Sequence, residues 1–414
     1  MQLVFIDLPQ RWTALKPFTL TRPIATLRVG ICTLGEKWQM WLKNELESET
    51  FSYLTISYLQ KKYPLKIEAD NLLINPAVCP DASLIKFVTS LNPRSILIQD
   101  DSFIAARISG EGLQALVQNE TLLDNLSNNL SNYKCLTYTE SITQIHRPWD
   151  IFLNNGEQIP QDYEQITKNR SSASISDSYT RTYGDSQIFV EEGADIKAAI
   201  INAEGGPVYI GKSATIHENA AIKGPFAMLE GAHINMGAKI REATTIGPNS
   251  KIGGEVKNIV VQANSNKGHE GFLGNSVIGK WCNFGADTNT SNLKNNYQSV
   301  KLWDYHTRRL EDSGQTFCGL MIGDHSKCGI NTMFNTGTVV GVFTNLFGGG
   351  FLPKFIPSFS WGGSESLEEY RFDKAVETLT RVLARRNQQP NPHDLAILEY
   401  IWQHRSSEFR NIIA

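Results

Sequence analysis

Ile210, Ile216, Ile222, Met228, Ile234, Ile240, Ile246 and Ile252 fall six residues apart without a slip. A six-residue period is neither helical nor the alternation of a lone strand. It is the mark of a hexapeptide β-helix, in which short stacked strands each bury one aliphatic side chain. The track begins loosely at Val190 and Ile196. After Ile252 it resumes at Phe272, Ile278 and Phe284, and later at Ile322, Cys328, Phe334 and Val340. Gly follows the aliphatic residue in Ile252-Gly253, Ile278-Gly279 and Phe284-Gly285, where a side chain would hinder the corner.

Chemistry-bearing residues concentrate where the track is least regular. The stretch GGEVKNIVVQANSNKGHEGFLGNSVIGKWCNFGADTNTSN, residues 253–292, holds Glu255, Lys257, His269, Asn283 and Asn292. His269 lies in the Gly-flanked turn KGHEG rather than on an aliphatic position. A His of unperturbed pKa near ~6.5 is the usual group for taking a proton from an attacking amine.

This stretch resembles the acetyltransferase half of the bacterial bifunctional enzymes that are both UDP-N-acetylglucosamine pyrophosphorylase and glucosamine-1-phosphate N-acetyltransferase. The resemblance rests on His269, then Phe272-Leu273-Gly274-Asn275, then Asn283, Gly285-Ala286 and Asn292 at the family's spacing, with Glu255 and Lys257 at the family's distance before the His. The departures are Phe272 for Tyr, Asn275 for Asp, Asp287 for Gly and Leu293 for Tyr.

The resemblance implies a left-handed β-helix and a homotrimer that builds each acetyl-CoA site between neighbouring subunits. It implies His269 as general base and Glu255 as the carboxylate that orients the ring. Arg241, which follows Ile240 in register, and Lys257 would hold a sugar phosphate. Phe272, Asn283 and Asn292 would line the acceptor, and the Ala286 N–H would face the thioester oxygen. Plainer alternatives stand beside these. Lys257 can be a solvated coil residue, and Asn283 and Asn292 can stack as an Asn ladder. His217, His233 and His325 read as structural.

Residues 1–170 read as an α/β domain. MQLVFIDL, NLLIN at 71–75 and SILIQD at 95–100 are short apolar runs suited to buried strands, and the Leu residues of 111–131 have helical spacing. The segment PFTLTRPIATLRVGICTLGEKW at 17–38 resembles the start of sugar nucleotidyltransferases, in the form found in a bacterial subgroup of the bifunctional enzymes. The usual Gly-rich phosphate loop is missing after the first strand. Arg22, Arg28 and Lys37 are therefore either phosphate ligands or ordinary structural charge. Asp100 and Asp101 follow a strand where the family places a Mg²⁺-holding Asp; the alternative is a solvated turn. HRPWDIFLNN at 146–155 resembles the family's joining segment, with Asp150 and Asn155 as secondary candidates for metal or sugar.

The polar, Ser-rich stretch 156–186 reads as an exposed connection, and the β-helix domain spans 184–350. The polar insertion around 293–316 is a loop on one face. The tail, 364–414, carries two helices, the first capped by Ser364 or Ser366 with an apolar face of Leu367, Tyr370, Ala375, Val376, Leu379, Val382 and Leu383. These are packing arms at the end of the solenoid, where the last coil exposes unpaired edges.

With 414 residues, 41% hydrophobic, the chain has ample core for two or three domains. A net charge of −3 offers no electrostatic footprint for nucleic acid. No run approaches a membrane span, and MQLVFIDLPQRW does not read as a signal peptide. Six Cys without a CxxC pair read as reduced thiols and a cytoplasmic setting. Three functions compete: an acetyl-CoA-dependent N-acetyltransferase on an amino-sugar phosphate, with or without nucleotidyl transfer to a UDP- or dTDP-sugar; a sugar-1-phosphate nucleotidyltransferase whose β-helix only assembles the trimer; and a non-catalytic scaffold. His269, Glu255 and Arg241 together favour the first.

Overall fold

The computed structural model describes residues 1–43, 51–100, 102–118 and 133–405. The chain forms two compact units. The first comprises Met1–Leu15, Thr21–Leu27 and Cys32–Arg147; the second comprises Lys16–Leu20, Arg28–Ile31 and Pro148–Ala414.

The first unit is an α/β layer around a sheet of six strands among the described residues, in the order Phe51–Leu54, Gln2–Ile6, Asp70–Ile74, Ser102–Ser109, Ser95–Gln99, Lys134–Thr137. All its pairs are parallel except those of Ser102–Ser109, which runs against both neighbours. Gln2–Ile6 is buried along its whole length, as the apolar run Leu3–Ile6 requires. The helix Leu34–Leu42 is set by a capping box between Thr33 and Glu36. The helical spacing read over 111–131 is realised as Gly110–Gln118; the remainder lies outside the described residues.

The second unit is a parallel β-helix followed by helices. Its core is one continuous column, with Ile210, Met228 and Ile246 above one another on one face and Ile216, Ile234 and Ile252 on the next. Between Val256 and Ile278 the inward residue is Leu273, aligned with Val256, while Phe272 aligns with Glu255 on the outward side. The six-residue track misplaced this residue because the coil here is not a multiple of six.

Three further expectations are corrected. The stretch 156–186, read as an exposed connection, opens inside the helix Asp150–Thr167, whose Ile159 packs with Ile31, Ala227 and Leu229. On it Asn155 is fully buried as a latch rather than a metal or sugar ligand. Its amide accepts from the Gly30 N–H at 2.8 Å and the Thr245 hydroxyl at 3.1 Å, and donates to the Ala243 carbonyl at 2.8 Å. The insertion closes into an antiparallel hairpin of Lys301–Asp304 with Arg309–Asp312. Its Trp303 stacks on Phe355 at 4.1 Å, so it folds against later coils.

The tail helices are Phe372–Ala384 and Pro392–His404. Ser364 and Ser366 do not cap the first, because Leu367–Glu369 pairs antiparallel with Ser360–Gly362 and so covers the last coil's edge. The helices instead lie along one corner of the solenoid. There Trp281, His325, Phe343 and Phe359 occupy successive corners with left-handed φ of 62°, 62°, 59° and 57°. Bulky residues seldom adopt that conformation. Here the rings stack: Trp281 on His325, His325 on Phe343, Phe343 on Phe359. Phe372 packs on Phe359 and Trp402, and Arg386 lies over Trp281 at 5.5 Å. No helix among the described residues is long and apolar enough to cross a membrane.

Candidate active site

The candidate residues sit where the coils shorten. Ile216 aligns with Ile234, 18 residues on. Ile252 aligns with Lys267, 15 residues on, and Asn266 with Asn283, 17 residues on. The lost residues are taken from a corner rebuilt around glycine. Gly254 has φ +72°, and a Cβ there would lie 3.0 Å from the His269 carbonyl and 2.8 Å from that of Gly271. Gly271, at φ +116°, presses against the Thr288 carbonyl in the same way. The turn carrying His269 is thus stacked between Gly254 and Thr288, with room for no side chain at either glycine.

Beside this corner the strand Glu255–Ala263 bends through two faces, pairing first with Lys239–Ile240 and then with Thr244–Ile246. That bend gathers four charges. Arg241 Nη1 lies 3.6 Å from Glu255 Oε1, Arg241 Nε lies 3.9 Å from Glu242, and Lys257 Nζ lies 3.1 Å from Glu242 Oε1. Burial raises the Glu242 carboxyl, but its own backbone N–H, Lys257 and Arg241 outweigh this and hold it below the usual carboxylate range. Arg241, Glu255 and Lys257 are therefore brought together, with Glu242 as a partner that sequence reading missed. Its position beside Arg241 was visible; its pairing with Lys257 depends on coil register.

His269 is exposed, and its imidazole has no hydrogen-bond or ionic partner among the described residues. Glu255 faces Arg241 rather than the ring, so the expected Glu255–His269 bond is not formed here. The turn is held instead by Lys267, whose ammonium donates to the His269 carbonyl at 2.7 Å and the Gly253 carbonyl at 3.1 Å. Burial pushes Lys267 down to about 8. Glu270, next to His269, reaches Lys239 at 3.4 Å.

Phe272 aligns with Glu255, and its N–H donates to Asn289 Oδ1 at 2.8 Å. The Phe272 ring and the Asn292 amide close over Gly274, where an added Cβ would lie 2.6 Å from the ring and 2.8 Å from Asn292 Nδ2. Asn292 Nδ2 donates to Asn275 Oδ1 at 2.8 Å. Asn283 lies on another face, aligned with Asn266, whose Nδ2 donates to Asn283 Oδ1 at 3.0 Å. Both asparagines thus pair with an Asn of the preceding coil, as the ladder alternative has it, and Asn292 also lies beside Phe272 over Gly274. Ala286 is in a turn where its carbonyl accepts from the Asn331 N–H at 2.8 Å, and its own N–H meets no protein acceptor among the described residues. That leaves a donor suited to a thioester oxygen.

In the first unit Arg22 and Lys37 are each 1% exposed, so neither is ordinary surface charge. Arg28 belongs to the second unit, where its N–H donates to Gln262 Oε1 at 2.8 Å and its guanidinium donates to the Ile31 carbonyl. Burial and these bonds give Arg28 a structural place in the β-helix unit. Asp100, at φ +43° and exposed, forms the tight turn between the antiparallel strands Ser95–Gln99 and Ser102–Ser109; Asp101 lies outside the described residues. The backbone thus forms the solvated turn. No cluster of three His, Cys, Asp or Glu side chains able to hold a metal occurs among the described residues.

Residues 3–171 match the family model described as sugar nucleotidyl transferase. A "Bifunctional protein GlmU" from Methanocaldococcus jannaschii is 33% identical over 146 residues, covering 30% of this chain and 35% of that protein. Residues 3–171 are thus similar to sugar nucleotidyl transferases, and the chain is similar to GlmU-like bifunctional proteins. A "Bifunctional sugar-1-phosphate nucleotidylyltransferase/acetyltransferase" from Sulfurisphaera tokodaii is 32% identical over 154 residues, covering 32% of this chain and 38% of that relative. A "Putative uncharacterized acetyltransferase YaiX" from Escherichia coli K12 is 32% identical over 152 residues, covering 36% of this chain and 64% of that protein. The matched part of the chain spans a little over a third of the length of the first two relatives.

Proposed function

We propose that the β-helix transfers an acetyl group from acetyl-CoA to the amine of an amino-sugar phosphate, glucosamine 1-phosphate or a close analogue. The observation that carries this reading is the juxtaposition of two cations, Arg241 and Lys257, with the exposed His269 turn across neighbouring shortened coils. A guanidinium grips phosphate bidentately and an ammonium adds a point charge. Glu242 and Glu255 hold these cations in place until the phosphate arrives. Phe272 offers an apolar wall to the sugar, and Asn292 its amide.

The chemistry needs one proton moved. The neutral amine attacks the thioester carbonyl. The C–N bond forms, the C–S bond breaks, and His269 carries the amine proton to the departing thiolate. The Ala286 N–H would stabilise the oxygen as negative charge develops on it. A homotrimer, in which a neighbouring copy completes the acetyl-CoA site, belongs to this reading, as does a cytoplasmic setting.

The test is release of free thiol from acetyl-CoA against a panel of amino-sugar phosphates, with mass analysis of the product. Release with no member, from a protein that is folded and assembled, would sink the acetyltransferase reading.

A second activity is favoured by the match of residues 3–171 to the sugar nucleotidyl transferase model. This unit would join a nucleoside triphosphate to a sugar 1-phosphate by in-line attack, which asks the protein for positioning and charge rather than a nucleophile. The buried Arg22 and Lys37 are its candidate cations. Pyrophosphate release from UTP or dTTP with N-acetylglucosamine 1-phosphate or glucose 1-phosphate, with and without Mg²⁺, decides it. No release from any pair leaves acetyl transfer as the sole activity.

A further inference from the structure

Lys267 occupies a position that should be aliphatic. It aligns with Ile252 on the inward track of the solenoid and is 3% exposed. A lysine there must bring its ammonium out of water, and an ammonium without a counter-ion is costly to bury. Its polar contacts are both main-chain carbonyls, Gly253 at 3.1 Å and His269 at 2.7 Å. The first belongs to the coil below, the second to the turn that carries the candidate base. The side chain therefore ties the two together from inside the corner.

We propose that Lys267 positions His269 for proton transfer by clamping the 268–271 turn to Gly253. This rests on the acetyltransferase reading above and assigns it a residue that neither touches the substrate nor takes its proton. The turn needs such a clamp. Asn235 Nδ2 holds the Gly268 carbonyl at 2.7 Å, but His269 has no side-chain partner among the described residues, and the bond that fixes its own carbonyl comes from Lys267. A base that drifts by about 1 Å can lose about 10²-fold in rate. The energetic oddity points the same way. Burial drives Lys267 down to about 8, with Glu270, Asp287 and Cys328 opposing and Lys239 adding to the fall. An apolar residue at this inward position would be the stable choice for a coil. The lysine is accounted for by the carbonyl it holds.

The test is Lys267→Met, which keeps the length and removes the donor. Folding stability near pH 7 should be unchanged or raised. Hydrogen exchange across 268–271 should quicken, kcat for thiol release should fall about 10- to 100-fold, and KM for both substrates should stay within about twofold. In a His269→Ala background the same change should cost nothing further, because the clamp acts only through His269. Unchanged exchange across 268–271 overturns the clamp whether or not the enzyme turns over. An equal loss of kcat in the His269→Ala background overturns the positioning role. If the parent protein releases no thiol while the variant still exchanges faster, the acetyltransferase reading falls and the clamp stands.

Discussion

Glu255 Oε1 lies 3.6 Å from Arg241 Nη1, so the carboxylate expected to orient His269 faces a cation rather than the imidazole. Both side chains are partly exposed, and such a pair in water contributes at most about 1 kcal/mol. In the proposed acetyl transfer, the pair would hold the guanidinium where a phosphate displaces the carboxylate.

His269→Ala should leave folding and assembly intact, since the side chain is exposed and unpartnered among the described residues. Acetyl transfer should fall by roughly 10²- to 10⁴-fold, the range for a lost general base. Thiol release and a thermal melt on the same purified sample check both halves. Near-normal turnover would remove His269 from the reaction.

Arg241→Ala should raise KM for the sugar phosphate and spare that for acetyl-CoA, because one charge-assisted contact to one substrate is lost. The change also leaves Glu255 without its cation, adding repulsion toward the incoming phosphate. Steady-state kinetics with each substrate varied in turn would show it. Equal weakening of both substrates would place Arg241 elsewhere.

Asp7 should make stability fall as pH rises from about 4 to about 7. Burial raises its carboxyl from 3.8 to about 7, against the bonds it accepts from the Thr55 hydroxyl and the Ile24 N–H. The folded state therefore holds a proton that the unfolded chain gives up across this window, and stability is lost as that proton leaves. Asp7→Asn should remove this slope. Urea denaturation midpoints of the two proteins across the window are the measurement, and parallel curves would refute the assignment.

Lys267 and the half-buried Lys327 act in the opposite sense at alkaline pH. Lys267 and Lys327 are each pushed down from 10.5 to about 8 by burial. Between those values the unfolded chain binds more protons than the folded one, so stability should rise with pH through the window. Lys327→Met should flatten part of that rise. Lys327 donates to the His325 carbonyl at 2.8 Å and not to the His269 turn, so acetyl transfer should persist. A rise as steep in the variant as in the parent would place the titration on other groups.

What the chain determines by itself is the periodic part. Residues Ile210 to Ile252 repeat every six positions, and that period can bury its aliphatic residues only by coiling. The apolar runs beginning MQLVFIDL likewise require a covered sheet, and the amphipathic pattern after 372 requires helices. Each is a local property, written in consecutive residues. The shortened coils are not local. Rebuilding the corner at Gly253-Gly254 moves every later residue along the coil. It puts Lys267 on the inward track, turns Phe272 outward and Leu273 inward, and sets Glu242 against Lys257. No residue announces such a shift, because alignment between neighbouring coils is fixed by corner geometry summed over a whole turn. The tail follows the same logic. Its apolar stripe could be read, but its resting place depends on the stacked Trp281, His325, Phe343 and Phe359, which come together only once the coils close.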